Sequence, residues 1–294
     1  MNTPFRSSAA RTAATVAAAL ALLASGGLAL TASTAAGQTG GGASAAGPGG
    51  DRARFVDKHG PVLHRPQLYL IYSGSGWLPQ AAPDPTAEQV TAAVRTMLAS
   101  TYLDGLAQYR GIGRGQVRGS TVIALDPPAE FTGDQIAEFV DAQLAAGNVP
   151  GPDPANQTVY GVVLPEGIGP GWTGEHNYYT RAGQRIHYAW FTNPGDLAWI
   201  TRTISHELVE SATDPEGDGI VGVTGTCDEP GWCEISDICM STLADVDGVD
   251  VQGYWSDRDH ACIVPGSGTP ATTPGRSRRP STVRAPGRPG WDAT

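Results

Sequence analysis

The sequence has few basic residues outside its two ends. Its 294 residues carry a formal net charge of −10, from 19 lysines and arginines against 29 acids. Residues 1–36 contribute +2 and residues 266–294 contribute +4, so the part between them carries −16. Half of the acids of that part lie between Glu207 and Asp259, where Arg258 is the only lysine or arginine. Such a block repels nucleic acid and attracts cations, so we expect no nucleic-acid partner.

Long apolar runs are also missing, with one exception. Residues 13–30 form that run; Arg6 and Arg11 precede it, and the small residues TASTAAG follow it. A charged start, a short apolar middle and small residues at the end are typical of a signal peptide, which we predict over residues 1–36. Glycines break the run, so a retained membrane helix is the weaker alternative. We therefore expect a secreted, extracellular protein with no integral membrane segment after processing.

Composition divides the rest of the chain into three parts. Residues 37–59 are rich in glycine and alanine, which predicts a flexible linker. Residues 266–294 are rich in proline, glycine and arginine and nearly free of apolar side chains, so we expect a disordered tail. The stretch 60–265 between them is long enough for a single globular domain with its own core.

Cysteines are few, and none belongs to a CxxC pair. A thiolate zinc knuckle is therefore not expected. In an exported chain, four cysteines predict two disulfides, and three pairings are open. We favour Cys227 with Cys233, which closes a small loop, and Cys239 with Cys262, which ties the last strand to the acidic segment.

Strand and helix patterns alternate along the domain. Continuous apolar runs predict strands, and capping boxes at Thr86 and Thr132 predict the starts of two helices. A third helix is predicted from Leu197 to Thr213, because apolar residues recur there at helical spacing and a proline follows. The sequence therefore predicts an α/β fold of the α+β kind, a mixed sheet with helices. The predicted strands are 67–74, 116–125, 157–165 and 184–191, and a hairpin is predicted to turn at Asp247-Gly248.

The predicted third helix carries HELVE at residues 206–210, which is the HExxH pattern of zinc hydrolases with glutamate in place of the second histidine. Positions four apart share one helix face, so His206 and Glu210 point the same way, as two metal ligands must. Zinc accepts oxygen donors as well as nitrogen donors. Glu207 lies about 100° around the helix, where it can act as general base on a water. The plain alternative is a capped surface helix with solvated carboxylates.

A third ligand is expected in CEISDIC, residues 233–239. Glu234 is the predicted ligand, and Asp237 is predicted to hydrogen-bond the second ring nitrogen of His206 and so fix its tautomer. The reverse assignment, with Asp237 as the ligand, stays open. His176 either faces the site, as a further ligand or supporting residue, or lies on the surface. Zn²⁺ is the expected ion, and another divalent metal is the alternative.

A glutamate in place of the second histidine changes the charge of such a site. One histidine and two glutamates leave Zn²⁺ neutral and so withdraw less charge from its water, whose pKa should then exceed the ~7 of catalytic zinc sites. We therefore expect weak or alkaline-shifted hydrolysis, or a preference for a harder metal. Ca²⁺ is a further candidate, because DPEGDG at 214–219 resembles a calcium loop, although Gly225 stands where that loop has glutamate.

Several elements together resemble the Exordium/phosphate-induced-protein family, which has plant members and secreted bacterial relatives. They are GPVL at 60–63, the Leu-Ile-Tyr strand, HELVESATDP, CEISDIC and the closing hairpin, and the likeness covers roughly residues 60–263. The family's G-x-H element is matched at Glu175-His176, with Glu175 where the family has an aromatic residue. The resemblance implies a zincin-like extracellular protein with a HExxE…ExxD motif, and it implies no substrate.

Two functions are compatible with these patterns. The first is a secreted metal-dependent hydrolase, in its simplest form a zinc metallopeptidase, which binds an extended peptide at an edge strand that we assign to residues 184–191. The second is a non-catalytic extracellular or cell-wall-associated protein with a structural metal site. The expected partner is accordingly a peptide or a cell-wall-associated substrate. A structural site is closed, whereas a catalytic site leaves one position open to water.

Overall fold

The computed structural model describes residues 53–223, 226–227 and 233–268. The predicted signal peptide, most of the linker and nearly all of the tail lie outside these residues. In chain order the strands and helices are β1 (Phe55–Asp57), β2 (Gln67–Ser73), α1 (Ala87–Ala99), β3 (Gln116–Ile123), α2 (Gly133–Ala146), β4 (Thr158–Glu166), β5 (Gly174–Arg181), β6 (Gln184–Asn193), α3 (Leu197–Thr213), β7 (Ile220–Gly222), β8 (Leu243–Val246), β9 (Val249–Gln252), β10 (Tyr254–Ser256) and β11 (Ala261–Ile263).

A five-stranded mixed sheet forms the centre of the fold, which confirms the predicted α/β class. Its order is β3-β2-β4-β6-β5, in which β5 runs antiparallel to β6 and the other neighbours are parallel. The prediction of an edge strand at 184–191 is wrong, because β6 lies between β4 and β5. Strand β5 takes the edge beside β6. Its sequence, GEHNYYTR, has no apolar run that would have predicted a strand.

Helices cover both faces of the sheet. Alternate residues of each strand point to opposite faces, so every inner strand contributes to two cores. One core joins the sheet to α1 and α3, with Val94 and Ile204 fully buried, and the other joins it to α2, with Val140 fully buried. This two-sided burial explains why the inner strands appear in the sequence as continuous apolar runs.

Helix α3 is buried along most of its length, including positions occupied by polar side chains. Its first turn is capped by Asp196, whose Oδ1 accepts a hydrogen bond from the N–H of Trp199 at 3.1 Å. Its last helical residue is Thr213, as predicted from the proline two residues later. The helix packs on the sheet through one face, and Thr201 donates its hydroxyl to the carbonyl of Asp250 in β9 (2.7 Å). The HELVE segment therefore lies inside the domain, not on its surface.

Both favoured disulfides are confirmed. Cys227 is bonded to Cys233, and Cys239 is bonded to Cys262. The second bond ties the short 3-10 helix Asp237–Cys239 to β11. Two disulfides are typical of a protein that folds in an oxidising environment. None of the helices in the described part of the chain combines the length and the apolar character that a membrane crossing requires.

Candidate metal centre

Six side chains that can bind a metal ion converge between α3, β5 and the loop after residue 232. They are His206, Glu207 and Glu210 from α3, His176 from β5, and Glu234 and Asp237 from the loop. Their ligand atoms include two sets in which all atoms lie within 4.8 Å of one another: His176, Glu210 and Glu234, and His206, Glu207 and Glu210. The predicted ligands His206, Glu210 and Glu234 are thus divided between two sets that share Glu210.

The two predicted ligands of α3 face each other as helix geometry requires. Nε2 of His206 lies 3.1 Å from Oε2 of Glu210. Asp237 approaches the same nitrogen, with its Oδ1 at 3.6 Å. Two ligands that each lie about 2 Å from one ion are roughly 3 Å apart, so this corner has the dimensions of a metal site.

His176 belongs to the cluster. Of the two positions that the sequence allows for it, facing the site or lying on the surface, the structure has the first. His176 lies within β5, opposite Ala189 of β6, and its Nε2 is 3.1 Å from Oε1 of Glu234. Despite that short distance neither ring nitrogen has a hydrogen-bond partner, and the side chain is only 8% exposed. Burial lowers the pKa of His176 to about 3, with smaller contributions from His206 and His187, so the ring is neutral and able to bind a metal.

The carboxylates of the cluster are not neutralised by basic side chains. In the described residues none of the four forms an ion pair with a lysine or an arginine. Burial raises the pKa values of Glu207, Glu210 and Glu234 well above the ordinary value, and neighbouring carboxylates raise them further. Burial likewise raises the pKa of Asp237, against the opposing effect of His206. A bound cation would replace the missing positive charge, because an opposite charge within a few ångströms favours the ionised carboxylate.

The residue that contacts the second nitrogen of His206 is Gln252, not Asp237 as predicted. The side-chain nitrogen of Gln252 lies 2.8 Å from Nδ1 of His206 and donates to the carbonyl of Ser236 at 3.0 Å. Asp237 instead lies on the Nε2 side and accepts the N–H of Glu234 through Oδ2 (2.9 Å). No spacing in the sequence links Gln252 to HELVE, because β9 reaches α3 only through the folded hairpin.

Glu207 lies below strand β5 and is 6% exposed. A methyl group on Gly174 of β5 would approach Oε1 of Glu207 to 2.8 Å, so only glycine permits this close packing of strand on carboxylate. Exposure within the cluster rises from 4% for the side chain of Glu210 to 15% for His206 and 33% for Asp237. Solvent therefore reaches the cluster from the side of His206 and Asp237.

The donor set fits a divalent metal ion. Imidazole nitrogens and carboxylate oxygens are ligands of zinc, and the buried nitrogens of His176 and Oε1 of Glu210 have no hydrogen-bond partner among the described residues. The predicted calcium loop at 214–219 takes no part: Oδ1 of Asp214 accepts the N–H of Gly219 at 2.7 Å, and the loop joins neither ligand set. Gly225 lies outside the described residues.

Comparison of the chain with family models, with curated proteins and with solved structures found no match.

Proposed function

We propose that the protein is a secreted metal-dependent hydrolase and that its substrate is a peptide. One observation carries the proposal: two histidines and four carboxylates converge in a mostly buried cluster in which, among the described residues, no lysine or arginine pairs with the carboxylates. Such a cluster is unfavourable without a cation and becomes favourable with one. Secretion is supported by the two disulfides and by the predicted signal peptide.

Each residue has a distinct role in this proposal. His206, Glu210 and Glu234 are the ligands, as the sequence predicts, and His176 lies beside Glu234 as a further candidate ligand. When bound, Zn²⁺ or a similar ion lowers the pKa of water and polarises a carbonyl oxygen. Glu207 accepts the proton from the attacking water and passes it to the leaving amine. Beside a cation Glu207 is ionised, as a general base must be, in spite of its burial.

Strand β5 supports a peptide as the substrate. Among the described residues β5 pairs only with β6, so its outer edge presents main-chain donors and acceptors. An extended peptide can pair with such an edge through main-chain hydrogen bonds. The same strand contributes His176 to the cluster and packs Gly174 on Glu207, so a peptide on this edge runs alongside the proposed base.

The test is peptide hydrolysis by the purified, zinc-loaded chain and by Glu207→Gln. We expect the wild-type chain to cleave an unstructured protein such as casein and the variant to lose roughly 10²–10⁴-fold in rate, the usual contribution of general base catalysis. Metal content should stay the same in both. The matched control is Glu138→Gln, which removes an exposed carboxylate of α2 on the other side of the sheet. Hydrolysis that persists in Glu207→Gln contradicts the assigned mechanism.

A second candidate function is a non-catalytic extracellular protein with a structural metal. The burial of Glu207 and the surplus of ligands favour it, since a structural site is closed. In that case the native chain binds metal, hydrolyses nothing, and unfolds at lower temperature after chelation. A chain purified without chelator that contains no metal would exclude both functions.

A further inference from the structure

The cluster has more candidate ligands than one ion needs, and their ligand atoms form two groups. A catalytic zinc site uses three protein ligands and a structural site uses four, whereas six side chains meet here. Five of them fall into two sets of three with Glu210 as the only shared member, and the sixth, Asp237, lies beside His206. The imidazoles belong to different sets, His176 to one and His206 to the other.

The two oxygens of Glu210 differ in their surroundings. Oε2 lies 3.1 Å from Nε2 of His206. Oε1 is buried and has no hydrogen-bond partner among the described residues, while the backbone N–H groups of Ser236 and Asp237 act on the carboxylate and lower its pKa. A carboxylate with one oxygen committed to one histidine and the other left free in a buried cluster is placed to bind two ions, one through each oxygen.

The charges of the cluster also fit two ions better than one. Four carboxylates meet two histidines, and no lysine or arginine in the described part of the chain forms an ion pair with any of them: Glu207, Glu210, Glu234 and Asp237. One divalent ion would leave two negative charges uncompensated in a mostly buried site, and two such ions would leave none. Uncompensated buried charge is strongly unfavourable, so the cluster gains from a second cation.

The observation that points most directly to a second ion is His176. Both of its nitrogens are buried and unpartnered, and Nε2 lies 3.1 Å from Oε1 of Glu234 without the geometry of a hydrogen bond. Two ligands of one ion have this relation, because both direct lone pairs at a common point and not at each other. His176 and Glu234 therefore define an ion position of their own, deeper than the exposed corner of His206 and Asp237.

We propose that the cluster binds two divalent cations, one at His206 with Asp237 beside it and one at His176 and Glu234, with Glu210 between them. This inference rests on the proposed function only in that both need an ion at His206 and Glu210. Protein sites with two metal ions have them about 3.5–4 Å apart, a separation that one carboxylate can bridge.

The test is metal stoichiometry. The full chain, stripped with chelator and reloaded with Zn²⁺ or Mn²⁺, is desalted and its bound metal counted by elemental analysis and native mass spectrometry. We expect two ions per wild-type chain, one in His176→Ala, one in His206→Ala and none in Glu210→Ala. His64→Ala, which removes an exposed histidine outside the cluster, should retain two. Circular dichroism establishes that each variant is folded.

A spectroscopic measurement tests the two-ion proposal independently of the number of bound ions counted. Two Mn²⁺ ions joined by a carboxylate couple magnetically, so the wild-type chain should give the spectrum of a coupled pair and His176→Ala that of an isolated ion. One ion per wild-type chain, or two ions retained in His176→Ala, overturns the inference. One ion with hydrolysis that depends on Glu207 leaves the proposed function intact. Two ions without hydrolysis would support the second ion and contradict the proposed function. A chain with no bound ion would contradict both.

Discussion

Gln252 contacts the candidate metal centre at Nδ1 of His206, whereas Glu210 contacts Nε2 of the same ring. The N–H of Gln252 donates to the hydroxyl of Ser205 at 3.0 Å, its carbonyl accepts the hydroxyl of Tyr102 at 2.6 Å, and its side-chain nitrogen lies between His206 and the carbonyl of Ser236. An amide nitrogen only donates, so in this arrangement Nδ1 of His206 accepts and its proton is on Nε2. Metal binding through Nε2 needs the ring proton on Nδ1. The amide of Gln252 must then turn so that its oxygen, which can accept that proton, faces the ring.

This arrangement predicts how substitutions of Gln252 affect metal affinity. Gln252→Ala should weaken binding about 10–100-fold, the usual effect of removing the partner of a ligand histidine. Gln252→Glu should recover part of that loss, because a carboxylate accepts the proton of Nδ1. Competition with a fluorescent chelator measures both, and Gln184→Ala, at an exposed glutamine of β6, is the control. Equal affinities for Gln252→Ala and the wild type would contradict this role for Gln252.

At the scale of elements, the centre depends on how closely β5 approaches α3. A β-carbon on Gly174 would lie 2.8 Å from Oε1 of Glu207, 2.8 Å from Cγ2 of Thr203 and 3.0 Å from the carbonyl oxygen of Trp190. The first two contacts are with α3 and the third is with β6. Strand and helix are therefore separated by a distance that no larger residue allows.

Gly174→Ala should push β5 away from α3. We expect a loss of about 1–3 kcal/mol in the free energy of unfolding, the usual cost of overpacking, together with a fall in hydrolysis as Glu207 is displaced. Urea denaturation and the peptide assay measure the two effects. Gly151→Ala is the matched control, since a β-carbon there has open space around it. A variant as stable and active as the wild type would show that the approach is not critical.

The same elements show which parts of the fold and of the candidate site can be predicted from the sequence. Helix α3 is predictable from about Leu197 to Thr213 because its signals are local: the apolar stripe, and the proline after its end. Strand β5 was missed because an edge strand beside a polar cluster carries His176 and Glu175 where an inner strand carries apolar residues. Glu234 and Asp237 were recognised by their spacing, but their separate positions around His206 and His176 depend on the folded loop.

At the scale of the whole molecule, the buried carboxylates couple folding to cations and to pH. One pH unit or more above their ordinary pKa of 6.5, His176 and His187 are largely neutral in the folded and unfolded chains alike. The three glutamates have an ordinary pKa of 4.5 in the unfolded chain, and burial with neighbouring carboxylates raises their pKa values well above it in the ion-free folded protein, which therefore binds more protons. A rising pH therefore favours the unfolded state until the raised pKa values are passed.

We accordingly expect the melting temperature of the chelated protein to fall as pH rises from about 7.5 towards the raised pKa values of the glutamates. The metal-loaded protein should show no such fall, because bound cations favour the ionised carboxylates in the folded state. The stabilisation by metal should thus grow with pH. Thermal unfolding followed by circular dichroism, with and without chelator at matched ionic strength, measures the difference. A difference that is independent of pH would indicate that these carboxylates are not the ligands.

The parts of the centre are spread along the chain from His176 in β5 to Gln252 in β9, and Cys239 beside the ligand loop is bonded to Cys262 in β11. A ribosome must therefore release almost the whole domain before the centre can form, and the disulfide must wait for an oxidising compartment. Assembly is post-translational. If the proposed function holds, a chain still in synthesis or in an export channel has no hydrolytic activity. The producing cell is then protected without a separate inhibitor, because the site assembles only after synthesis and export.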